Sequence, residues 1–152
     1  MASVEQVHLN EPHTPNHNAI GAFNHVLPQI KHEIVRSRKE WDKHQPKMWS
    51  RAAGLSDEQL VGFSIEDHLV QVRSGVVSYG TVIFGKIRVP DVSDDVGDGY
   101  IHVRIHDPPN RGKEDVMFHS ILTLEGEKDA DGHPRLWRAI QPQDYPLEFF
   151  NE

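Results

Sequence analysis

Residues 100–106 alternate between polar and apolar side chains. Successive side chains of a β-strand point to opposite faces, so the pattern predicts a strand with one polar and one apolar face. The polar face would carry Tyr100, His102, Arg104 and His106, and the apolar face Ile101, Val103 and Ile105. Imidazoles can act as general acids or bases near neutral pH, whereas a guanidinium or a phenol can hold a carboxylate or stabilise an enolate. The segment therefore indicates acid–base chemistry if its polar face is buried, and an ordinary solvated strand if it is exposed.

The segment 116–123 can bring a third histidine to this surface. If Val116, Phe118 and Leu122 lie on the apolar face, then Met117, His119 and Ile121 lie beside the histidines. The loop 107–114 is long for a hairpin, so the register stays open. A surface that mixes apolar and convergent polar groups is typical of small-molecule sites. The predicted acid–base residues are His102, His106 and His119, and the predicted substrate-binding residues are Tyr100, Arg104, Met117 and Arg138.

A metal ion fits these histidines less well. His102 and His106 are four residues apart on a strand, which places their Cα atoms about 13 Å apart, too far for both imidazoles to ligate one ion. His119 could share an ion with one of them, but no carboxylate or cysteine is placed by spacing to complete the set. The chain also lacks the glycine-rich motifs of nucleotide-binding loops and the Gly-x-Ser-x-Gly motif of hydrolases. We therefore expect a site without a metal or another cofactor.

Composition limits the remaining possibilities. The chain has 152 residues, 37% hydrophobic content and no cysteine, which suits one domain without disulfides or thiolate chemistry. The division that we predict is a flexible N-terminal arm over 1–17 and a single domain over 18–152. A net charge of -7 disfavours nucleic acid as a partner. Because neither a signal peptide nor a membrane-spanning run is evident, we expect a cytoplasmic protein without membrane contact.

An amphipathic helix should precede the strands. Apolar residues recur at three- and four-residue steps from residue 20 to residue 41, which predicts one apolar helix stripe. Pro28 interrupts the stripe, so we expect either a kinked helix or two helices. Ser56 and Gln59 have the spacing of a capping box at the start of a short second helix.

Strand-forming segments dominate the chain after Gly62. The predicted strands are 69–73, 76–89, 100–106, 116–124 and 136–140, with turns at Ser74–Gly75 and over 90–99. Short connections favour antiparallel neighbours. The sequence thus predicts an α+β fold in which the helix, or kinked helix pair, packs on a curved antiparallel sheet or a small barrel. The aromatic C-terminal residues 144–150 should dock on this sheet or on a second subunit.

Three functional interpretations remain open. The first is a cofactor-free enzyme, such as an isomerase, cyclase or dehydratase, acting on a small carbonyl or carboxylate compound. The second is a non-catalytic module that binds a ligand or a protein through the basic helix near 31–43 and the aromatic C-terminus. The third is a homodimer that buries the polar sheet face.

Overall fold

The computed structural model describes residues 9–44, 54–77, 80–94, 97–108, 116–125, 137–141, 143 and 145–150. A long helix is followed by two single-turn helices and then by strands, which confirms the predicted α+β class. The helices are α1 (His17–His44), α2 (Asp57–Leu60) and α3 (Ile65–His68). The strands are β1 (Leu69–Val77), β2 (Gly80–Asp94), β3 (Gly97–Asp107), β4 (Met117–Ile121), β5 (Leu124–Glu125) and β6 (Trp137–Arg138).

Helix α1 runs for 28 residues with Pro28 in its interior. The structure thus has one helix where the sequence left a helix pair open. Asn16 begins the helix, since its side chain accepts a hydrogen bond from the Ala19 amide at 2.9 Å. Pro28 lies on the exposed side. The other side is buried and includes Phe23, Ile30 and Ile34 of the predicted stripe, together with Val26.

Short helices connect α1 to the sheet. The predicted capping box of α2 is confirmed, because Ser56 accepts from the Gln59 amide and the Gln59 side chain accepts from the Ser56 amide. Arg38 of α1 reaches this turn through an ion pair with Asp57 and a 2.7 Å hydrogen bond to the Leu55 carbonyl. Helix α1 is therefore tied to the segment that leads into the first strand.

The main sheet is antiparallel, with strand order β1-β2-β3-β4. Strands β1 and β4 form its two edges, so the sheet is open rather than a barrel. Strand β1 continues through Ser74 and Gly75, so the turn predicted there is wrong. The break predicted over 90–99 is in the right place but too wide, because β2 continues through Pro90 to Asp94 and β3 begins at Gly97. The first hairpin closes next to Gly80, whose φ of 124° is a conformation that side chains disfavour. Strand β2 accommodates Pro90 where its pairing with β3 shifts register, between Val89 and Ser93.

Both faces of the sheet are covered. One face packs against α1 in the larger apolar cluster, where Phe23 approaches the sheet so closely that a Cβ on Gly85 would lie 2.5 Å from its ring. The opposite face packs against the C-terminal residues in a second cluster. Its buried members are Val82, Phe84, Leu122, Leu147 and Phe150.

The N-terminal arm lies along the edge formed by β1. His13 and Val72 exchange two main-chain hydrogen bonds of 2.9 Å, and the Asn10 amide donates to the Ser74 carbonyl at 2.9 Å. The Asn10 side chain also accepts from the Ser74 amide at 2.8 Å. In the part of the chain that the structure describes, no helix is long and apolar enough to cross a membrane.

Candidate functional site

The polar face of β3 is buried. Ile101, Val103 and Ile105 belong to the cluster under α1, as the alternation predicts. On the opposite face, Tyr100 is 5% exposed, His102 0% and Arg104 4%. Strand β2 adds Lys86, which is 7% exposed and is the direct partner of His102 in the β2–β3 register. Four polar side chains from two strands therefore lie together beneath the surface.

The chain's own C-terminal segment, defined here as residues 145–150, covers this polar face. Leu147 and Phe150 are buried in the second cluster, and Tyr145 and Phe149 pack against it. The predicted docking of the aromatic C-terminus on the sheet therefore occurs within one chain. It also occupies the aromatic surface that a partner-binding interpretation would use.

Cationic side chains from three adjacent strands donate hydrogen bonds to main-chain carbonyls of the C-terminal segment and of Gln143, which precedes it. Arg73 extends from β1, Lys86 from β2 and Arg104 from β3. The hydrogen bonds are Arg73 Nη1 to Leu147 O at 2.8 Å, Lys86 Nζ to Gln143 O at 2.5 Å and to Tyr145 O at 3.1 Å, and Arg104 Nη1 to Phe150 O at 2.8 Å. Donors on side chains, rather than a strand ladder, thus fix the position of the segment.

Aromatic rings line the two buried cations. The Arg104 guanidinium lies 5.7 Å from the Phe84 ring centroid and 5.2 Å from that of Phe149. Lys86 Nζ lies 5.1 Å from the Tyr100 ring centroid. Desolvated cations over aromatic faces gain electrostatic attraction, which offsets part of the cost of burying them. Burial also lowers the pKa of Arg104 below its ordinary value.

His102 is the least satisfied polar group at this site. Its ring centroid lies 5.6 Å from that of Tyr145, and neither ring nitrogen has a hydrogen-bond partner among the described residues. Burial, and secondarily the charge of Lys86, lowers the pKa of His102 to about 4. The imidazole is therefore neutral at pH 7. A buried polar group without a partner costs about 1–3 kcal/mol, and such a group calls for an explanation such as a catalytic role or a bound water.

Tyr100 stands at the opposite end of the row from Arg104. Burial, followed by the charge of Asp98, raises the pKa of the Tyr100 phenol, so the phenol keeps its proton at neutral pH. Its main chain exchanges hydrogen bonds of 2.9 and 2.7 Å with buried Gln141. The protonated Tyr100 phenol can therefore act as a hydrogen-bond donor.

The other two candidate histidines lie outside this buried group. His106 is half-buried near the end of β3, opposite Val82. His119 is exposed on the edge strand β4, with Nδ1 2.5 Å from Ser120 Oγ. The structure thus brings together Tyr100, His102 and Arg104 but does not bring the three histidines into one group.

A bulge explains why the expected register of the 116–122 segment holds only in part. Val116 and Phe118 pack on the α1 side as expected. The β3–β4 pairing then shifts between Arg104 and Ile105, so Ile121 also faces α1 while Leu122 joins the opposite cluster, contrary to expectation. Met117 is 54% exposed opposite His106. The side chain of Arg138 lies outside the described residues.

Lys86 and Arg73 are the site residues that sequence reasoning missed. Lys86 lies on the same face of β2 as Val82 and Phe84, and a lysine that directly follows these two apolar positions was the available signal. Its pairing with His102 depends on the hairpin register, which the sequence does not specify. Arg73 gave no signal, because it ends the predicted strand 69–73, and an arginine at a strand end is ordinary.

A separate cleft of about 190 Å³ lies between the N-terminal arm, the start of α1 and the sheet. Its polar lining includes His13, Asn16, Asn18, Ser74 and Asp107, over an apolar floor. None of the buried polar residues of β3 contributes to it. Within the described ranges, no group of three histidine, aspartate or glutamate side chains is placed to hold a metal ion.

Comparison of the chain with known protein families, curated proteins and solved structures found no match in any of the three. The function must therefore be argued from the geometry of the site itself.

Proposed function

We propose that the protein is a cofactor-free acid–base enzyme that acts on a small carbonyl or carboxylate compound at the β2–β3 face beneath the C-terminal segment. The observation that carries the proposal is His102, a fully buried and neutral imidazole with no hydrogen-bond partner among the described residues, directly opposite a lysine. Perturbed titratable groups of this kind are concentrated at functional sites.

The residues around His102 have complementary chemistry. In the proposed reaction, the imidazole removes a proton from the carbon next to a carbonyl group and becomes an imidazolium. The electron pair of the C–H bond moves onto the carbonyl oxygen, where the Lys86 ammonium and the Tyr100 phenol stabilise the enolate. In a β,γ-unsaturated carbonyl compound, the electron pair moves back from oxygen through the conjugated double bonds, and return of the proton to the γ-carbon gives an isomerisation. In a β-hydroxy carbonyl compound, the returning electron pair breaks the bond between the β-carbon and its hydroxyl group, which takes the proton from the imidazolium and leaves as water.

Ligand binding without chemistry is the second candidate function, and a specific observation favours it. Lys86 and Arg104 already donate hydrogen bonds to oxygen acceptors in the folded chain. Binding of an organic anion needs such donors and needs no catalytic base. The two candidates differ in the role of His102, because only the enzyme needs a base there.

Proton exchange on carbon tests the enzyme directly. The protein is incubated in D₂O with a panel of ketones and 2-oxo acids, and loss of the α-proton signal is followed by NMR. We expect the intact chain to accelerate exchange for at least one compound and H102Q to lose about 100-fold or more of that rate, as removal of a general base does. H119Q, which changes an exposed histidine, serves as the matched control and should keep the rate.

Exchange at the uncatalysed rate for every compound would reject the acid–base proposal. Equal rates in the intact chain and H102Q would reject the assignment of His102. Binding of panel compounds with no exchange would leave the non-catalytic function as the correct one.

A further inference from the structure

We propose that the C-terminal segment is an internal substitute for the ligand, and that the ligand is an aromatic carboxylate which replaces Phe149 and Phe150 on Arg104. The inference rests on the proposed function for the location of the site, but it does not depend on catalysis. It assigns a ligand class to the site. It also assigns a regulatory role to the C-terminal segment, which takes no part in the proposed reaction.

The oxygen acceptor is the first point of similarity between segment and ligand. Arg104 donates to the Phe150 carbonyl, and Lys86 to the carbonyls of Gln143 and Tyr145. Each acceptor is a neutral main-chain oxygen. A carboxylate would accept the same hydrogen bonds with the added attraction of opposite charges, which makes such bonds shorter and stronger.

The aromatic ring is the second point. The Phe84 ring, at the floor of the site, contacts both C-terminal rings, with centroid distances of 5.6 Å to Phe149 and 5.1 Å to Phe150. The Arg104 guanidinium lies 5.7 Å from the Phe84 ring centroid and 5.2 Å from that of Phe149, so the cation and the two rings form one compact group. A molecule with a carboxylate one or two atoms from an aromatic ring reproduces this arrangement of ring and oxygen on Phe84 and Arg104.

The attachment of the segment allows an exchange of occupant. Residues 145–150 form no strand, and three of their carbonyls are held by side chains of the sheet. Release of the segment would therefore leave the hydrogen-bond ladder between β1, β2 and β3 intact. Local opening of this kind is most accessible in segments that lie outside the regular hydrogen-bond ladders.

Competition between the C-terminal segment and the ligand predicts the direction in which ligand affinity changes when the segment is weakened. If the ligand binds only when the segment is released, its apparent dissociation constant equals the intrinsic one divided by the released fraction. A substitution that weakens the segment should then tighten ligand binding while it lowers stability. Ordinary destabilisation of the protein has no such effect on affinity.

Arg73 offers a substitution that loosens the segment away from the ligand. From β1, Arg73 donates a hydrogen bond to the Leu147 carbonyl. Among the residues that the structure describes, its hydrogen bonds do not reach Phe149 or Phe150. It also donates to the Asn10 carbonyl at 3.0 Å, but the arm keeps its main-chain hydrogen bonds to Val72 and Ser74. R73M is therefore the test variant, and R36M is its control because Arg36 forms an exposed ion pair with Glu33 on α1.

The experiment measures binding of phenylacetate by calorimetry to the 152-residue chain and its variants. We expect R73M to bind about 5- to 30-fold more tightly than the unmodified chain, R36M to bind like the unmodified chain, and R104M to lose binding. Phenylacetamide and acetate should bind at least 10-fold more weakly than phenylacetate. F150A is a second loosening variant, for which L60A, in the core under α1, is the control of similar destabilisation.

Equal or weaker binding to R73M and F150A would overturn the inference, as would equal binding of phenylacetate and its amide. These outcomes differ from a failure of the proposed enzyme. Tighter binding to R73M without any proton exchange would reject catalysis alone. Proton exchange whose KM is the same in R73M and the unmodified chain would reject the competing segment alone.

Discussion

His102 links the chemistry of the site to the stability of the fold at acid pH. In the folded chain its pKa is about 4, against an ordinary value of 6.5, because burial and Lys86 disfavour the imidazolium. As the pH falls from 6.5 to 4, the unfolded chain takes up a proton that the folded chain does not. Stability contributed by the neutral imidazole is therefore present above pH 6.5 and is lost on acidification, by about 3 kcal/mol once the pH is below 4.

Urea unfolding at pH 7.5, 5.5 and 4.5 measures this loss. We expect the unfolding free energy of the unmodified chain to fall more steeply with acidification than that of H102Q, which has no imidazole to protonate. H119Q should follow the unmodified chain, since the imidazole that it removes is exposed in the folded protein. Parallel curves for H102Q and the unmodified chain would mean that His102 titrates normally in the folded protein.

The same residues show what the sequence could reveal at this scale. Alternation along β3 was sufficient to place Tyr100, His102 and Arg104 on one face. It could not decide whether that face was buried, because the covering residues lie more than 40 positions away along the chain. Lys86 lies next to His102 because of the β2–β3 register, which the sequence does not specify.

Helix α1 offers a test at the scale of one element, because its proline lies inside a continuous helix. Pro28 supplies no amide hydrogen for the helical ladder, and its ring crowds the preceding turn. The residue is on the exposed side, so its replacement leaves the buried stripe intact. We expect P28A to raise the unfolding free energy by about 1–3 kcal/mol, which denaturant titration would detect.

Q29A provides the matched control, since Gln29 is the exposed neighbour of Pro28 and has an amide hydrogen already. Its effect should stay within about 0.5 kcal/mol. A loss of stability in P28A would show that the chain needs a break in the helix at that point.

Elements with a long, clear period were predictable, whereas the positions at which one strand ends and the next begins were predictable only in part. The apolar stripe from Ile20 indicated α1, and Ser56 with Gln59 indicated the start of α2. Ser74–Gly75 has the composition of a turn but lies within β1, because pairing with β2 supplies hydrogen bonds that override local preference. The bulge in β4, opposite Arg104 and Ile105, has no signature in the residues that form it.

At the scale of the whole molecule, the sheet depends on a layer at each face. Helix α1 covers one face, and the C-terminal segment covers the other. The apolar residues in the chain's last ten positions predicted that this part of the chain is buried. Apolar content does not specify the surface that buries it, so the chain's own sheet and a second subunit both remained possible. The contacts of Arg73, Lys86 and Arg104 specify where the segment lies.

Truncation after residue 142 tests the importance of the second layer. Removal of buried Leu147 and Phe150 alone should cost about 3–6 kcal/mol, and it would expose Val82, Phe84 and Leu122. We expect a lower melting temperature and self-association, measured by thermal unfolding and by light scattering after size-exclusion chromatography. A monomeric product that melts at the original temperature would show that the segment contributes nothing to the fold.

The N-terminal arm protects one edge of the main sheet from other chains. An uncovered edge strand presents unpaired amides and carbonyls to which a foreign strand can add, and β1 carries the exposed side chains Val70 and Val76 beside such an edge. Residues 10–13 already occupy hydrogen-bonding groups of Val72 and Ser74. The arm therefore leaves fewer edge groups of β1 to which the strand of another chain could add. Its own outer side is a poor template for strand addition, because it is polar and contains prolines, which lack an amide hydrogen.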